Sequence, residues 1–185
     1  MTYRINIAGM ERDLPLCPVT EDLYIGAFVI FGDVALTKHC AAELLKRAPD
    51  YDYLIAPEAK SIPLLYEMAR QSNAKEYFLA RKGPKLYMNG VFEVEVQSIT
   101  TETVQKLVID TADAEKLRGK RCLILDDVIS TGESLHAMET LVERAGGIVA
   151  GRMAILAEGA AADREDIIYL AKLPLFHADG SIQEA

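Results

Sequence analysis

Two aspartates stand side by side in "RCLILDDVISTGESL", residues 121–135. Neighbouring carboxylates at the end of a buried apolar run repel each other unless something accepts them, and a divalent cation or a pair of sugar hydroxyls would do so. Beyond Asp126 and Asp127, the residues Ser130, Thr131, Gly132, Glu133 and Ser134 form a hydroxyl-rich, glycine-centred turn that opens a helical pattern. Backbone amides at a helix start have no intrahelical partners, and an anion placed there also meets the positive end of the helix dipole, which favours it by about 0.3–2 kcal/mol. The turn is therefore a phosphate cradle. Acids just ahead of it suit a ribose 5-phosphate, with the sugar hydroxyls on the carboxylates and the phosphate in the loop. Neither a GxxxxGK run ending in Ser or Thr nor a GxGxxG fingerprint occurs, which argues against a Walker-type or dinucleotide site.

Groups so placed need a strand that ends in them and a helix that leaves them. "CLILD" reads as that strand. Gly132 to Ala145 reads as that helix, with Leu135, Met138, Leu141 and Val142 on one face and Gly146 and Gly147 as its stop. Upstream, Leu36, Cys40 and Leu44 recur at helical spacing between Val34 and Arg47, with Asp33 as N-cap. "YLIAP" (53–57) and "EYFLA" (76–80) are strands on either side of a second helix, which Ser61 could cap and whose first turn tolerates Pro63. The stretch from Val91 to Asp110 alternates as a two-stranded antiparallel excursion with "TTET" as its turn, and "IVAGRMAILA" and "DIIYLAKLPL" supply the last strands. Residues 1–33, broken by Pro15, Pro18, Gly26 and Gly32, read as strands and turns. Strands alternating with helices predict an α/β fold with a mostly parallel sheet covered on both faces and ligands at the C-terminal ends of its strands.

At 185 residues, half of them hydrophobic, the chain has the material for one domain with a substantial core. A formal charge of −8 argues against a broad basic surface, so neither nucleic acid nor anionic lipid is the expected partner. Cys17, Cys40 and Cys122 are odd in number and lack a CxxC pair, which indicates neither a disulfide framework nor a zinc site. His39, His136 and His177 show no metal-ligand spacing. With no signal peptide and no membrane-length apolar span, the expected compartment is the cytoplasm.

"CLILDDVISTGES" closely resembles the phosphoribosyl pyrophosphate (PRPP) signature of type I phosphoribosyltransferases. "PEAKSIP" (57–63) is similar to the pyrophosphate-binding loop of the purine branch, and "ARKGPKLYM" (80–88) to the Arg-Lys-x-x-Lys-Leu segment of its adenine enzymes. The resemblance runs from about Tyr53 to Leu156. It implies a type I phosphoribosyltransferase fold over residues 1–185, with a small N-terminal hood (1–33) and a flexible lid hairpin (82–110). It also implies transfer of ribose 5-phosphate from PRPP to a purine base, with Mg2+ carried by PRPP, in a homodimer. On this likeness Ser130, Thr131, Gly132, Glu133 and Ser134 hold the 5′-phosphate, and Asp126 and Asp127 hold the ribose hydroxyls directly or through metal and water. Lys60, Ser61, Arg81, Lys82 and Lys85 handle pyrophosphate, with Asp126, Asp127 and Lys60 the catalytic set.

Departures from the family pattern matter. Lys60-Ser61 stands where adenine enzymes usually have Arg-Gly, which exchanges a forked cation for a point charge. Glu133 puts a carboxylate where glycine is common. Glu93, Glu95 and Glu102 are the candidates for the lid glutamate that manages the purine proton. The "VEVQSITTETVQKLVI" segment is also similar to the xanthine branch, but Glu158-Gly159 replaces the lysine that xanthine relatives carry after the last core strand. Adenine is therefore the expected base, with xanthine or guanine and hypoxanthine as the alternative. A PRPP-sensing regulator without catalysis is a further one, opposed by the excess of acids over bases in residues 1–50 and by the retained Lys60, Lys82 and Lys85.

Overall fold

The computed structural model describes residues 1–97 and 104–183. The chain opens with β1 (Thr2–Ile7), β2 (Met10–Pro18) and β3 (Tyr24–Gly26), followed by α1 (Val34–Leu45), β4 (Tyr53–Pro57), α2 (Ile62–Gln71) and β5 (Phe78–Ala80). Next come β6 (Val91–Gln97), β7 (Val104–Asp110) and α3 (Thr111–Leu117). It continues through β8 (Arg121–Ile129), α4 (Glu133–Arg144), β9 (Ile148–Glu158) and a 3-10 turn (Gly159–Asp163) to β10 (Ile168–Leu173) and β11 (Leu175–Phe176).

The central sheet has the order β10-β9-β8-β4-β5, and every neighbouring pair in it is parallel. Its strands serve two cores by alternation. Leu54, Ala56, Leu123, Leu125, Met153 and Ile155 pack on one face with Leu36, Cys40 and Leu44 of α1, Leu64, Leu65 and Met68 of α2, and Ile5, Ile7 and Leu14 from the N-terminal strands. Ile55, Cys122, Ile124 and Ala154 face the other way, onto Leu135, Met138, Leu141 and Val142 of α4 and Ala114 and Leu117 of α3. A strand buried on both faces reads as a continuous apolar run, which is why "YLIAP" and "CLILD" carry no polar alternation. The doubly covered parallel sheet is the α/β architecture expected from the sequence.

Three features depart from the sequence reading. The last apolar stretch does not make one strand: β10 extends the central sheet beside β9, and after Pro174 the chain crosses into a second sheet, where β11 pairs antiparallel with β3. That sheet has the order β1-β2-β3-β11, so it draws on both ends of the chain. The Ser61 hydroxyl does not cap α2; it donates to the Pro57 carbonyl and lies in the interior. Asp126 and Asp127 lie within β8 and not beyond its end, because Val128 and Ile129 continue the ladder against Leu156 and Ala157 of β9.

β6 and β7 pair antiparallel from Val91↔Asp110 to Gln97↔Val104, and the "TTET" turn lies outside the described residues. Val94, Leu107 and Ile109 are buried in the α4 core, so the ribbon is rooted in the domain.

The N-terminal sheet, packed on the core through Ile5, Ile7 and Leu14, is also tied to it by charge. Arg12 of β2 donates through Nε and Nη2 to the two oxygens of Asp33 at 2.6 and 3.1 Å. Asp33 also caps α1, accepting from the Leu36 amide at 3.0 Å. The Arg12 hydrogen bond, helped by the Leu36 amide, outweighs partial burial and holds the Asp33 carboxyl below the usual aspartate range. A carboxyl so depressed contributes stability above its unfolded pKa and loses it as pH falls through the folded one. Asp33→Ala is expected to lower the free energy of unfolding by about 1–2 kcal/mol in urea titrations near neutral pH. The difference from the wild type should shrink once pH falls below about 4.

Candidate functional site

β4, β8 and β9 end at the same edge of the sheet, and each delivers ionisable groups there. Asp127 is 3% exposed. Its Oδ2 is buried without a hydrogen bond among the described residues, although the Lys60 ammonium stands 3.3 Å away as an ion pair outside hydrogen-bonding geometry. Asp126 accepts from the Asp127 amide through Oδ1 at 2.8 Å. Burial, then the charge of Asp127, push the Asp126 carboxyl well above the usual range; that amide and Lys60 oppose them and do not prevail. Glu158, the last residue of β9, is also raised by burial, and again Lys60 opposes the shift. One half-exposed ammonium thus serves three carboxylates.

The turn between β8 and α4 follows directly. Gly132 is left-handed at φ 82°, a conformation that favours glycine, and it stands as the N-cap of α4 without a side-chain cap. Ser130, Thr131 and Ser134 are exposed, and Glu133 is half-buried. A Cβ at Gly132 would lie 3.0 Å from Arg164 Nη1, so a side chain here would have to displace that guanidinium slightly.

The loop after β4 runs from Glu58 to Ser61 and contains a cis Glu58–Ala59 peptide bond. Glu58 ties it to the cationic segment after β5. It accepts from the Lys82 amide at 2.8 Å and from Arg81 Nη1 at 3.1 Å. Burial raises its pKa, but the Lys82 amide, the Lys85 charge and Arg81 together carry it below the usual glutamate range. Arg81 in turn exchanges two backbone hydrogen bonds with Val108 of β7, each 2.8 Å, and lies 5.7 Å from the Tyr87 ring centroid. Lys82 and Lys85 are exposed.

The residues singled out in the sequence fall into two groups. Asp126, Asp127, Lys60 and the loop from Ser130 to Ser134 meet at the C-terminal ends of β4 and β8. Arg81, Lys82 and Lys85 gather around Glu58. Ser61 turns its hydroxyl inward. Glu93 and Glu95 both face Lys106, at 2.7 and 3.8 Å, and Glu102 lies outside the described residues. Sequence reasoning missed Glu58 as the clamp between the two loops, and Arg164 beside Gly132. The motif "PEAKSIP" carried the first signal; the second had none, since Arg164 follows the site by more than a whole strand.

Residues 34–179 match the phosphoribosyl transferase domain model. The adenine phosphoribosyltransferase of Petrotoga mobilis is 31% identical over 150 residues, which cover 80% of this chain and 83% of that one. The corresponding enzyme of Kosmotoga olearia is 26% identical over 157 residues, 82% of this chain and 87% of its own. In structure, the chain resembles the crystal structure of adenine phosphoribosyltransferase from Thermoanaerobacter pseudethanolicus, with a TM-score of 0.66, 24% identity, and coverage of 86% and 95% of the two chains.

The Asp126 shift has a sign that can be measured. A carboxyl raised in the folded state costs stability as pH rises through its folded pKa. Asp126→Asn retains an acceptor for the Asp127 amide and removes the like charge. At pH 8 its thermal midpoint is expected to exceed the wild type by about 2–4 °C, the shift that about 1 kcal/mol gives in a domain of this size. The gain should vanish below about pH 4, where the ordinary carboxyl is also protonated.

Proposed function

The chain belongs to the phosphoribosyl transferase domain family, and from this we propose that it transfers ribose 5-phosphate from PRPP to adenine, giving AMP and pyrophosphate. One observation carries the reading: an Asp127 oxygen that is buried without a hydrogen bond among the described residues, and its neighbour Asp126, lie a few residues ahead of a glycine-centred helix start. Ribose hydroxyls donating to those carboxylates would supply the missing hydrogen bonds. The amides and hydroxyls of Ser130, Thr131, Gly132, Glu133 and Ser134 would hold the 5′-phosphate at the positive end of α4. The similarity to adenine enzymes over four-fifths of the chain supports adenine as the base.

In the transfer, the bond from C1′ to pyrophosphate breaks with its electron pair leaving on the pyrophosphate oxygen, and a purine nitrogen closes on C1′ as the imidazole-ring proton of the base is released to water or to the departing pyrophosphate. Negative charge accumulates on the departing group. Lys60, the backbone around Ser61, and Arg81, Lys82 and Lys85 are the groups set to meet it, in a site where such charges act strongly. Carboxylate oxygens suit a hard cation that keeps part of its water. Asp126 and Asp127 would hold Mg2+ carried by PRPP, directly or through water, and the ion would supply neutralisation of the pyrophosphate charge. Residues 82–110 serve as the lid in this reading. β6 and β7 are its packed root, and the cationic stretch after Ala80, clamped by Glu58, is the part that closes. Residues 1–33 make most of the hood, completed by β11.

We further read the protein as a cytoplasmic homodimer acting on PRPP and a purine, with no nucleic-acid or membrane partner. Three free thiols suit a reducing compartment, and among the described residues no helix is long and apolar enough to cross a membrane. Fully exposed Leu86, beside Tyr87 in the cationic stretch, is surface of the kind that a second copy would cover.

The test is an initial-rate assay with PRPP and Mg2+ against adenine, hypoxanthine, guanine, xanthine and orotate, following pyrophosphate release. Adenine is expected to turn over at least about tenfold faster than the others, a difference of about 1.4 kcal/mol in the barrier. Comparable turnover of xanthine or guanine would move the base assignment to the other purine enzymes. PRPP binding without release for any base would make the chain a sensor.

A further inference from the structure

Arg164 lies just past the 3-10 turn, yet it rests against the loop that precedes α4. Its Nη1 is 3.0 Å from the point that a Cβ of Gly132 would occupy, and among the described residues no other atom outside the glycine's immediate chain neighbours comes within 4 Å of that point. Gly132 is the left-handed residue on which the anion cradle turns. The guanidinium is also held in place. Nε donates to Asp166 Oδ1 at 2.9 Å and Nη2 to Asp166 Oδ2 at 2.7 Å, which fixes one edge of the fork. Asp166 faces Arg152 at 3.5 Å, and Arg152 pairs with Glu139 of α4, so the helix that presents the loop also anchors the network behind Arg164. Among the described residues, Nη1 has no hydrogen-bond acceptor.

These contacts assign a role that the loop sequence does not reveal. Within 130–134 the only formal charge is that of Glu133, which is negative, so cationic help for a bound phosphate must come from another element. A guanidinium with one edge satisfied and its remaining nitrogen against Gly132 has already lost most of its rotational freedom before the ligand arrives. Arginine's planar fork is well suited to phosphate oxygens. We propose that Arg164 is a further 5′-phosphate-binding residue, with Asp166 as its positioning partner. The inference rests on the reading of the 130–134 loop as the 5′-phosphate site.

The experiment is calorimetric titration of the full chain with ribose 5-phosphate and, separately, with inorganic pyrophosphate, for the wild type, Arg164→Gln and Arg164→Lys. Arg164→Gln is expected to weaken ribose 5-phosphate binding about tenfold or more. Pyrophosphate binding should hold within about twofold, since that ligand is met by other residues. Arg164→Lys should recover part of the loss, and in kinetics the effect should fall on KM for PRPP more than on kcat. Unchanged ribose 5-phosphate affinity in Arg164→Gln would overturn the proposal. So would equal weakening of both ligands with a lowered thermal midpoint, which would make Arg164 a brace for the fold alone. A wild type that binds pyrophosphate but not ribose 5-phosphate would overturn the parent reading of the loop, and this one with it.

Discussion

Two adjacent carboxylates inside the sheet, one of them with an oxygen that finds no donor among the described residues, are the constraint on which the rest of this structure depends. Placing like charges side by side in a half-dry environment is unfavourable, and the protein answers with a single ammonium, Lys60, brought from the neighbouring parallel strand. Only a parallel arrangement of β4 and β8 brings the residues after both strands to the same edge. The sheet therefore has to be built as it is, with two apolar cores and no exposed face, before the acids can sit where they do. What remains unbalanced after Lys60 is the capacity to accept hydrogen bonds, and a sugar with two hydroxyls supplies donors without adding charge.

Around this centre, polar clamps connect elements that apolar packing alone would leave free to shift. Glu58 joins the loop after β4 to the cationic stretch after β5, and Arg81 joins that stretch to β7. Arg12 and Asp33 join the N-terminal sheet to the start of α1. Arg164, Asp166, Arg152 and Glu139 join the phosphate loop's glycine to its own helix. The clamps lie at or near the surface, where an ion pair adds modestly to stability. Their main consequence is positional: Glu58 and Arg164 each hold a loop that flanks the proposed site, and Arg12 holds the N-terminal sheet against α1.

How far this was legible in the sequence follows from the range of each interaction. The helix with Leu36, Cys40 and Leu44, the strand "YLIAP" and the helix with Leu135, Met138 and Leu141 were readable because periodicity is local. The turn proposed to hold the phosphate is local in the same way: acids, hydroxyls and glycine lie within nine residues. β11 was not, because its partner is β3, some 150 residues away, and no short window records such a pairing. The extension of β8 past its acids was hidden because carboxylates look like a strand end, whereas Val128 and Ile129 keep the ladder going. Ser61 has the chemistry of a cap, but the Pro57 carbonyl competes for its hydroxyl. Arg164, flanked by Asp163, Glu165 and Asp166, looks like solvated surface until the fold sets it on Gly132.

The central claim is that the paired acids await the ribose hydroxyls. It is tested most directly by comparing, in calorimetry, the affinities of ribose 5-phosphate and 2,3-dideoxyribose 5-phosphate for the wild type and for Asp127→Asn. The account expects the sugar lacking the 2- and 3-hydroxyls to bind the wild type about tenfold or more weakly, and the gap to narrow in Asp127→Asn. Equal affinity of the two sugars for the wild type would contradict it, leaving the phosphate loop as the only recognised half of the site.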